Sequence, residues 1–338
     1  MKLFQSKIPS SQFYKVAEVL ESGILGFGPN VPKFEAEMAP HSGKAHNIAL
    51  NSASGASFLI YAFLKEKYGQ CNVYTTPLGF TSPAWAARHH GHNLIFVDTN
   101  EELLMSPQSY TEARLLINND FHNVVMPVLY GGVSTISDWE LVGDETVVLD
   151  SAHCITPTLP ADFVFFSFHP YKPVCSSDGG MISCDDTEAA DYFRSYRNFG
   201  RSSSGTSYDI VQSGFKFYMN NLNATLGLIS LSAYAHNVEA RRKNFEAIFE
   251  ECPNSCVYPH DSDSSYYFAT VLDSQANVKL SQLGIQRNYP LLHKTTYYNQ
   301  LVSLNYIEGV FDSILNVPIH QHLSTADIET IIKIIREE

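Results

Sequence analysis

The sequence predicts an α/β protein: a large unit on a mostly parallel sheet flanked by helices, followed by a smaller α+β unit. Three observations point there. Short β-branched runs alternate with helix-patterned stretches from about Asn47 to Cys184. Those runs are apolar throughout instead of alternating, as strands covered on both faces are. Past about Gly200 the texture turns to long helical periodicity with few strands.

In chain order, buried strands are expected at 72–77, 94–98, 114–118 (RLLIN), 123–128, 146–150 (TVVLD) and 162–168 (DFVFFSF). Helices are expected between them, over ASFLIYAFLKEKYG and TSPAWAARHHG. Residues 224–251 read as one long helix, because apolar side chains recur at three- and four-residue steps. YYFATVL (266–272) reads as a strand, and 324–338 as a terminal helix capped by Ser324 or Thr325. SSSGTS (202–207) is the most loop-like stretch, fit for a mobile flap. The division is expected between 1–235 and 236–338, in keeping with about two domains at ~150 residues each.

The chain of 338 residues is 44% hydrophobic and 17% charged, which excludes a disordered or mainly solvating polymer. Its net charge of −13 disfavours a protein with a broad basic face for nucleic acid. No apolar run reaches the ~20 residues that span a bilayer, and the start, MKLFQSKIPSSQFYKV, lacks the apolar stretch of a secretory signal. Six cysteines are too sparse for a disulfide framework. A cytoplasmic compartment with reduced thiols is the expectation. Cys252 and Cys256 form a lone C-x3-C with no second pair, so no metal site is expected there. His89, His90 and His92 read as the end of a helix and not as ligands.

Four segments carry candidate chemistry. NSASGASF (51–58) opens a helix with small residues, where free N–H groups can hold a phosphate; Ser54 adds a hydroxyl and Gly55 a close backbone approach. Asp150 ends an apolar strand, the place where doubly wound sheets bind ligands; taken alone it reads as a helix cap or a loop salt bridge. Lys172 follows a very apolar strand in a segment rich in Pro, Ser and Gly. An amine near apolar walls loses its proton more readily and becomes a nucleophile able to form an imine. GFKFYMNNLNATLG (214–227) is aromatic and amide-rich ahead of a helix. Arg194, Arg197 and Arg201 either meet a diphosphate or end a solvated helix.

Taken together, the chain resembles the DegT/StrS-type nucleotide-sugar aminotransferases, pyridoxal-phosphate enzymes of the aspartate-aminotransferase fold. The similarity runs almost end to end. GFGPNVPKFEAEMA (26–39) is similar to that family's opening GP-x-V-x-x-FE segment, NSASGAS to its SGTAA phosphate loop and PLGFTSPAWAA (77–87) to its P-S-x-T-F segment. FVDTN (96–100) resembles its FVDVD, LDSAHC (149–154) its EDAAQ or EDAAH box, and FSFHPYK (166–172) its SFHxxK lysine box. YRNFGR (196–201) resembles RNHG, GFKFYMNNLNATLG resembles GYNYRM…AAxG, and 317–332 resembles the closing LPLHPxLT segment.

The resemblance implies a fold of type I with a seven-stranded, mostly parallel sheet. It implies that Lys172 joins pyridoxal 5′-phosphate and carries the proton, with Asp150 on the pyridine nitrogen and Phe80 stacked on the ring. His153 would lie near the 3-oxygen, and Ser54, Gly55 and Ser167 would hold the phosphate. It implies a homodimer with shared active sites, where Lys216 to Asn220 reach the partner's site. L-glutamate would be the amino donor. The acceptor would be a nucleotide-linked keto-deoxysugar, first a 4-keto-6-deoxyhexose and otherwise a 3-keto sugar. A sugar dehydratase on the same scaffold carries His at the lysine position, so Lys172 argues against it; the Asp150–Lys172 pair argues against a silent relative. Departures are Ala53 within the phosphate loop, Asp178 where Glu is usual, and Tyr218 in place of the Arg of GYNYRM.

Overall fold

The computed structural model describes residues 1–117, 120–202, 208–257, 260–281, 283–285 and 288–336. Most of the predicted flap at 202–207 lies outside them.

The large sheet contains β1 (His46–Leu50), β2 (Cys71–Thr75), β3 (Asn93–Phe96), β4 (His122–Met126), β5 (Thr146–Asp150), β6 (Phe163–Ser167) and β7 (Gly180–Cys184). Their order is β1-β7-β6-β5-β4-β2-β3. Only β7 runs against its neighbours. Five of the predicted strands match β2 to β6. β2, β5, β6 and β7 are buried along their whole length, which is why their sequences show apolar runs and no alternation.

Helices α1 (Phe13–Ser22), α2 (Asn30–Ser42), α3 (Ala53–Tyr68), α4 (Thr81–His89), α5 (Pro107–Leu116), α6 (Thr187–Tyr196) and α7 (Asn221–Ser232) accompany this sheet. Of the strand expected at 114–118, residues 114–116 instead end α5, and residue 118 lies outside the described residues. Pro107 at the first helical position and a Ser106 side chain accepting from the Ser109 N–H start a helix there, and the apolar run leaves Leu115 and Leu116 exposed. The helix expected over 224–251 is two helices, α7 and α8 (Tyr234–Glu251), broken at Ala233. Hydroxyls explain the break: Ser232 Oγ donates to the Ile229 carbonyl, and Ser230 Oγ leaves its helix to accept from Cys175 N.

A second, antiparallel sheet follows, β8 (Cys256–Val257), β9 (Ala269–Leu272) and β10 (Ile314–Val317), with β9 central. It packs with α8, α9 (Ser274–Ser281) and α11 (Thr325–Ile335) around Phe245, Ile248, Leu280, Leu315 and Ile331, while α10 (Asn305–Val310) leans on the large core. α11 starts at a capping box between Ser324 and Asp327, so Ser324 is the cap. Among the described residues no helix is long and apolar enough to cross a membrane.

Candidate active site

The C-terminal ends of parallel strands carry the polar groups. Asp150 is the last residue of β5 and Ser167 the last of β6, its direct neighbour in the sheet. The chain leaves β6 through a tight turn, with Lys172 N donating to the His169 carbonyl at 2.9 Å. This turn brings Lys172 back over the strand ends. Asp150, Ser167, Lys172, His153, Phe80 and Ser54 all line one cavity of about 570 Å³.

Asp150 is buried, and its Oδ1 accepts from the Ala152 N–H at 3.0 Å. Burial raises its pKa, against the pull of that N–H and of the Lys172 charge. Burial likewise drives the Lys172 amine well below the usual lysine range, with the Asp150 charge opposing. Lys172 Nζ sits 4.6 Å from the centre of the Tyr267 ring. Among the described residues neither group belongs to a salt bridge within 4.0 Å. An acid and an amine thus share one cavity without neutralising each other by contact.

His153 is buried within an aromatic cluster. Its Nε2 shares a hydrogen bond of 3.0 Å with the Tyr289 hydroxyl, while its Nδ1 is buried with no partner among the described residues. Burial, then the Lys172 charge, lowers its pKa well below that of a free histidine, so the ring is neutral. Phe80 caps α4 and keeps 58% of its surface exposed at the cavity, an apolar ring with one face to offer.

At the opening of α3, Ser52 Oγ accepts from the Gly55 N–H at 3.0 Å and Ala56 N donates to the Ser52 carbonyl. Among the described bonds this leaves the N–H groups of Ala53 and Ser54 toward the cavity, at the positive end of a helix dipole. Gly180 permits that approach: a Cβ there would sit 2.3 Å from the Ser52 carbonyl carbon. Gly55 itself does not line the cavity; its N–H is spent on Ser52 and the space at its Cα is closed by Asn51 and Phe217. Lys216 is exposed and lies outside this cavity, paired as a single β-bridge with Asn198, while its carbonyl accepts from Asn51 Nδ2.

Arg197 is taken up by the protein's own groups. It is buried against Glu35 at 2.5 Å and the Ala49 carbonyl at 2.8 Å, because the same Glu35 oxygen also accepts from Ala49 N, locking α2 to β1. Arg194 pairs with Asp191, and Arg201 lies over the Tyr208 ring. His92 is a structural group, bonded to Cys71 N and the Tyr61 carbonyl.

Sequence reasoning missed Phe4, Tyr267 and Tyr289, all in the cavity wall. Tyr267 follows the second unit's loop, and Tyr289 belongs to a segment stitched to the loop after β2 by a bridge between Leu291 and Leu78. The cluster YYF and the pair YP gave no local sign of function; only the fold brings them to Lys172.

These observations fit pyridoxal phosphate. A buried, partnerless imidazole nitrogen, an unpaired acid and amine, an open aromatic face and helix-terminal N–H groups are the donor set that a phosphorylated pyridine aldehyde requires.

Known proteins agree with this geometry. The chain is 28% identical to the spore coat polysaccharide biosynthesis protein SpsC of Bacillus subtilis, covering 98% of this chain and 95% of that protein. It is 26% identical to a UDP-4-amino-4,6-dideoxy-N-acetyl-beta-L-altrosamine transaminase of Campylobacter jejuni, over 95% and 92% of the two. Among solved structures, Helicobacter pylori PseC superposes with a TM-score of 0.88 at 20% identity, over 99% and 98% of the chains. The family's sequence model matches residues 7–336, nearly the whole described chain including both sheets and every cavity residue from Ser52 to Leu292. The chain therefore belongs to the DegT/DnrJ/EryC1/StrS aminotransferase family, whose aminotransferases are pyridoxal-phosphate dependent.

Proposed function

We propose that this enzyme moves an amino group from L-glutamate to the ketone of a nucleotide-linked keto-deoxysugar, using pyridoxal phosphate and working as a homodimer with shared active sites. The observation that carries the reading is the joint placement of Asp150 and Lys172 in one cavity, both shifted toward their neutral forms and unpaired. When bound, the cofactor supplies an electron sink for charge at the carbon that gains or loses the amine. Asp150 holds the ring nitrogen and keeps it protonated. Lys172 would hold the cofactor at its aldehyde, because a depressed pKa leaves its amine as a free base; freed when the donor's amine takes its place, it would carry the proton to and from the reacting carbon. Phe80 stacks on the ring, His153 serves the 3-oxygen, and Ser54, Ser167 and the N–H groups opening α3 hold the phosphate. Gly55 supports that cradle through Ser52. Lys216 and the segment to Asn220 reach the partner's site. In this reading residues 1–235 bind the cofactor and 236–338 complete the acceptor side.

The names of relatives support a 4-keto-6-deoxyhexose as acceptor. The C. jejuni relative is named for a 4-amino-4,6-dideoxy sugar, and a Saccharopolyspora spinosa relative, 26% identical, for dTDP-4-dehydro-2,3,6-trideoxy-D-glucose. A 3-keto sugar is the second acceptor to try.

The test is direct. Protein loaded with pyridoxal phosphate should be yellow, and borohydride should fix the cofactor on the peptide containing Lys172. Lys172→Ala should lose both the label and all glutamate-dependent transfer. Label on another peptide, or normal turnover by the variant, would overturn the assignment.

A further inference from the structure

We propose that Tyr289 is a positioning residue that fixes the tautomer of His153, so that His153 presents an N–H donor at Nδ1 to the group bound in the cavity. The inference rests on the functional reading above for the identity of that group, but its first test does not.

The geometry supplies each step. His153 Nε2 and the Tyr289 hydroxyl are 3.0 Å apart, and the two rings lie nearly parallel at 18°. A phenol O–H is a far better donor than a neutral imidazole N–H, so in this pair the hydroxyl donates and Nε2 accepts. One proton then remains for the ring, and it must sit on Nδ1. That nitrogen has no partner among the described residues, although His153 is only 4% exposed. A buried N–H without an acceptor is costly, which makes it a site kept for a ligand oxygen.

Tyr289 is itself firmly held. The N–H of Asn288, next to it, donates to Asn316 Oδ1 at 2.9 Å, and Asn316 in turn bonds the Tyr130 hydroxyl. On the other side, Leu292 N donates to the Pro77 carbonyl. The backbone on either side of Tyr289 is therefore pinned, with its hydroxyl aimed at His153. Tyr267 packs on the imidazole at 4.5 Å and restricts its rotation.

The experiment uses the full chain carrying nitrogen-15 histidine, with the His153 signals assigned by their loss in His153→Gln. Without cofactor, wild type should show Nδ1 protonated and Nε2 bare near neutral pH, and Tyr289→Phe should move the proton to Nε2, the tautomer a free imidazole prefers. With pyridoxal phosphate bound, Tyr289→Phe should slow the glutamate half-reaction about tenfold, the worth of one hydrogen bond. In His153→Gln the same change should cost nothing, since an amide donates without any tautomer to set. An Nε2-protonated ring in wild type, an unmoved tautomer in Tyr289→Phe, or an equal loss in the His153→Gln background would overturn the proposal. A chain that binds no pyridoxal phosphate would sink the functional reading, while the nitrogen spectra would still decide the role of Tyr289.

Discussion

One wall of the cavity is made of strand ends, with Asp150 and Ser167 on neighbouring parallel strands and Lys172 in the turn that follows. Another is made of rings, with Phe4, Tyr267 and Tyr289 drawn from the beginning of the chain and from two places in its last third. The rings form a nearly continuous row: Phe4 stacks on Tyr267 at 4.6 Å, Tyr267 packs tilted against His153 at 4.5 Å, and His153 stacks on Tyr289 at 5.9 Å. The first wall supplies charge and protons. The second supplies a dry, stiff surface that sets the charge of the first, because burial is the leading cause of the shifts at Asp150, Lys172 and His153. Changes in the two walls should therefore differ in kind: the strand-end wall should lose rate with the fold intact, while truncating a ring of the other wall should lose stability, the Tyr289 hydroxyl apart, whose bond to His153 bears on rate.

Asp150→Asn gives the largest expected effect short of removing the lysine. The amide keeps the shape and removes the charge that would hold a ring nitrogen protonated. The glutamate half-reaction should fall by ~100-fold or more, about 2.7 kcal/mol of barrier, while pyridoxal phosphate still binds and thermal stability is not reduced. A variant that unfolds, or one that reacts at the wild-type rate, would erase the proposed division between the walls.

The strand-end wall was legible in the sequence, and the ring wall was not. TVVLD and DFVFFSF announce buried parallel strands, and a polar residue at the end of such a strand stands at the sheet's ligand-binding edge, though the family resemblance was needed to tell a site from a cap or salt bridge. The distance between sequence and site is short there. Phe4, Tyr267 and Tyr289 carry no such local signal, since an aromatic residue in a core and one in a cavity wall look alike until long-range packing places them. Arg197 shows the reverse case: a guanidinium near a helix end reads either as a diphosphate ligand or as a solvated helix end, yet Glu35, far off in sequence, claims it. RLLIN fails for a third reason, because the cap at Ser106 and Pro107 sets the backbone before the apolar run can pair as a strand.

Phe4→Ala should have the next largest effect, on the other wall. The Phe4 ring stacks on both Tyr171 and Tyr267, at 5.5 and 4.6 Å. Losing two aromatic partners and part of a buried ring should cost about 2 kcal/mol in denaturant unfolding. The effect should be larger than that of Asp150→Asn on the same axis. If the variant is as stable as wild type, the N-terminal segment does not brace the wall and the row of rings ends at Tyr267.

The smallest effect sits where that segment is anchored. His320 Nε2 donates to the Lys2 carbonyl at 3.2 Å, and its Nδ1 accepts from the His322 N–H at 3.3 Å. One ring nitrogen must donate and the other accept, so only the neutral ring satisfies both. Burial, with Arg241 next and His322 adding to it, lowers the His320 pKa to about 4, against the Lys2 carbonyl that raises it. In the unfolded chain the same group titrates near 6.5. The folded form thus binds fewer protons between these values, so stability falls as pH drops below 6.5 and levels off near pH 4. Keeping the ring neutral across that interval costs about 1 to 2 kcal/mol of stability at the acid end, once screening by solvent is allowed for. His320→Gln can donate to Lys2 and accept from His322 without titrating. It should match wild type at pH 8 and exceed it by that margin at pH 4, read from melting temperatures across the range. Parallel curves for the two proteins would mean that the N-terminal segment is held by something other than this ring.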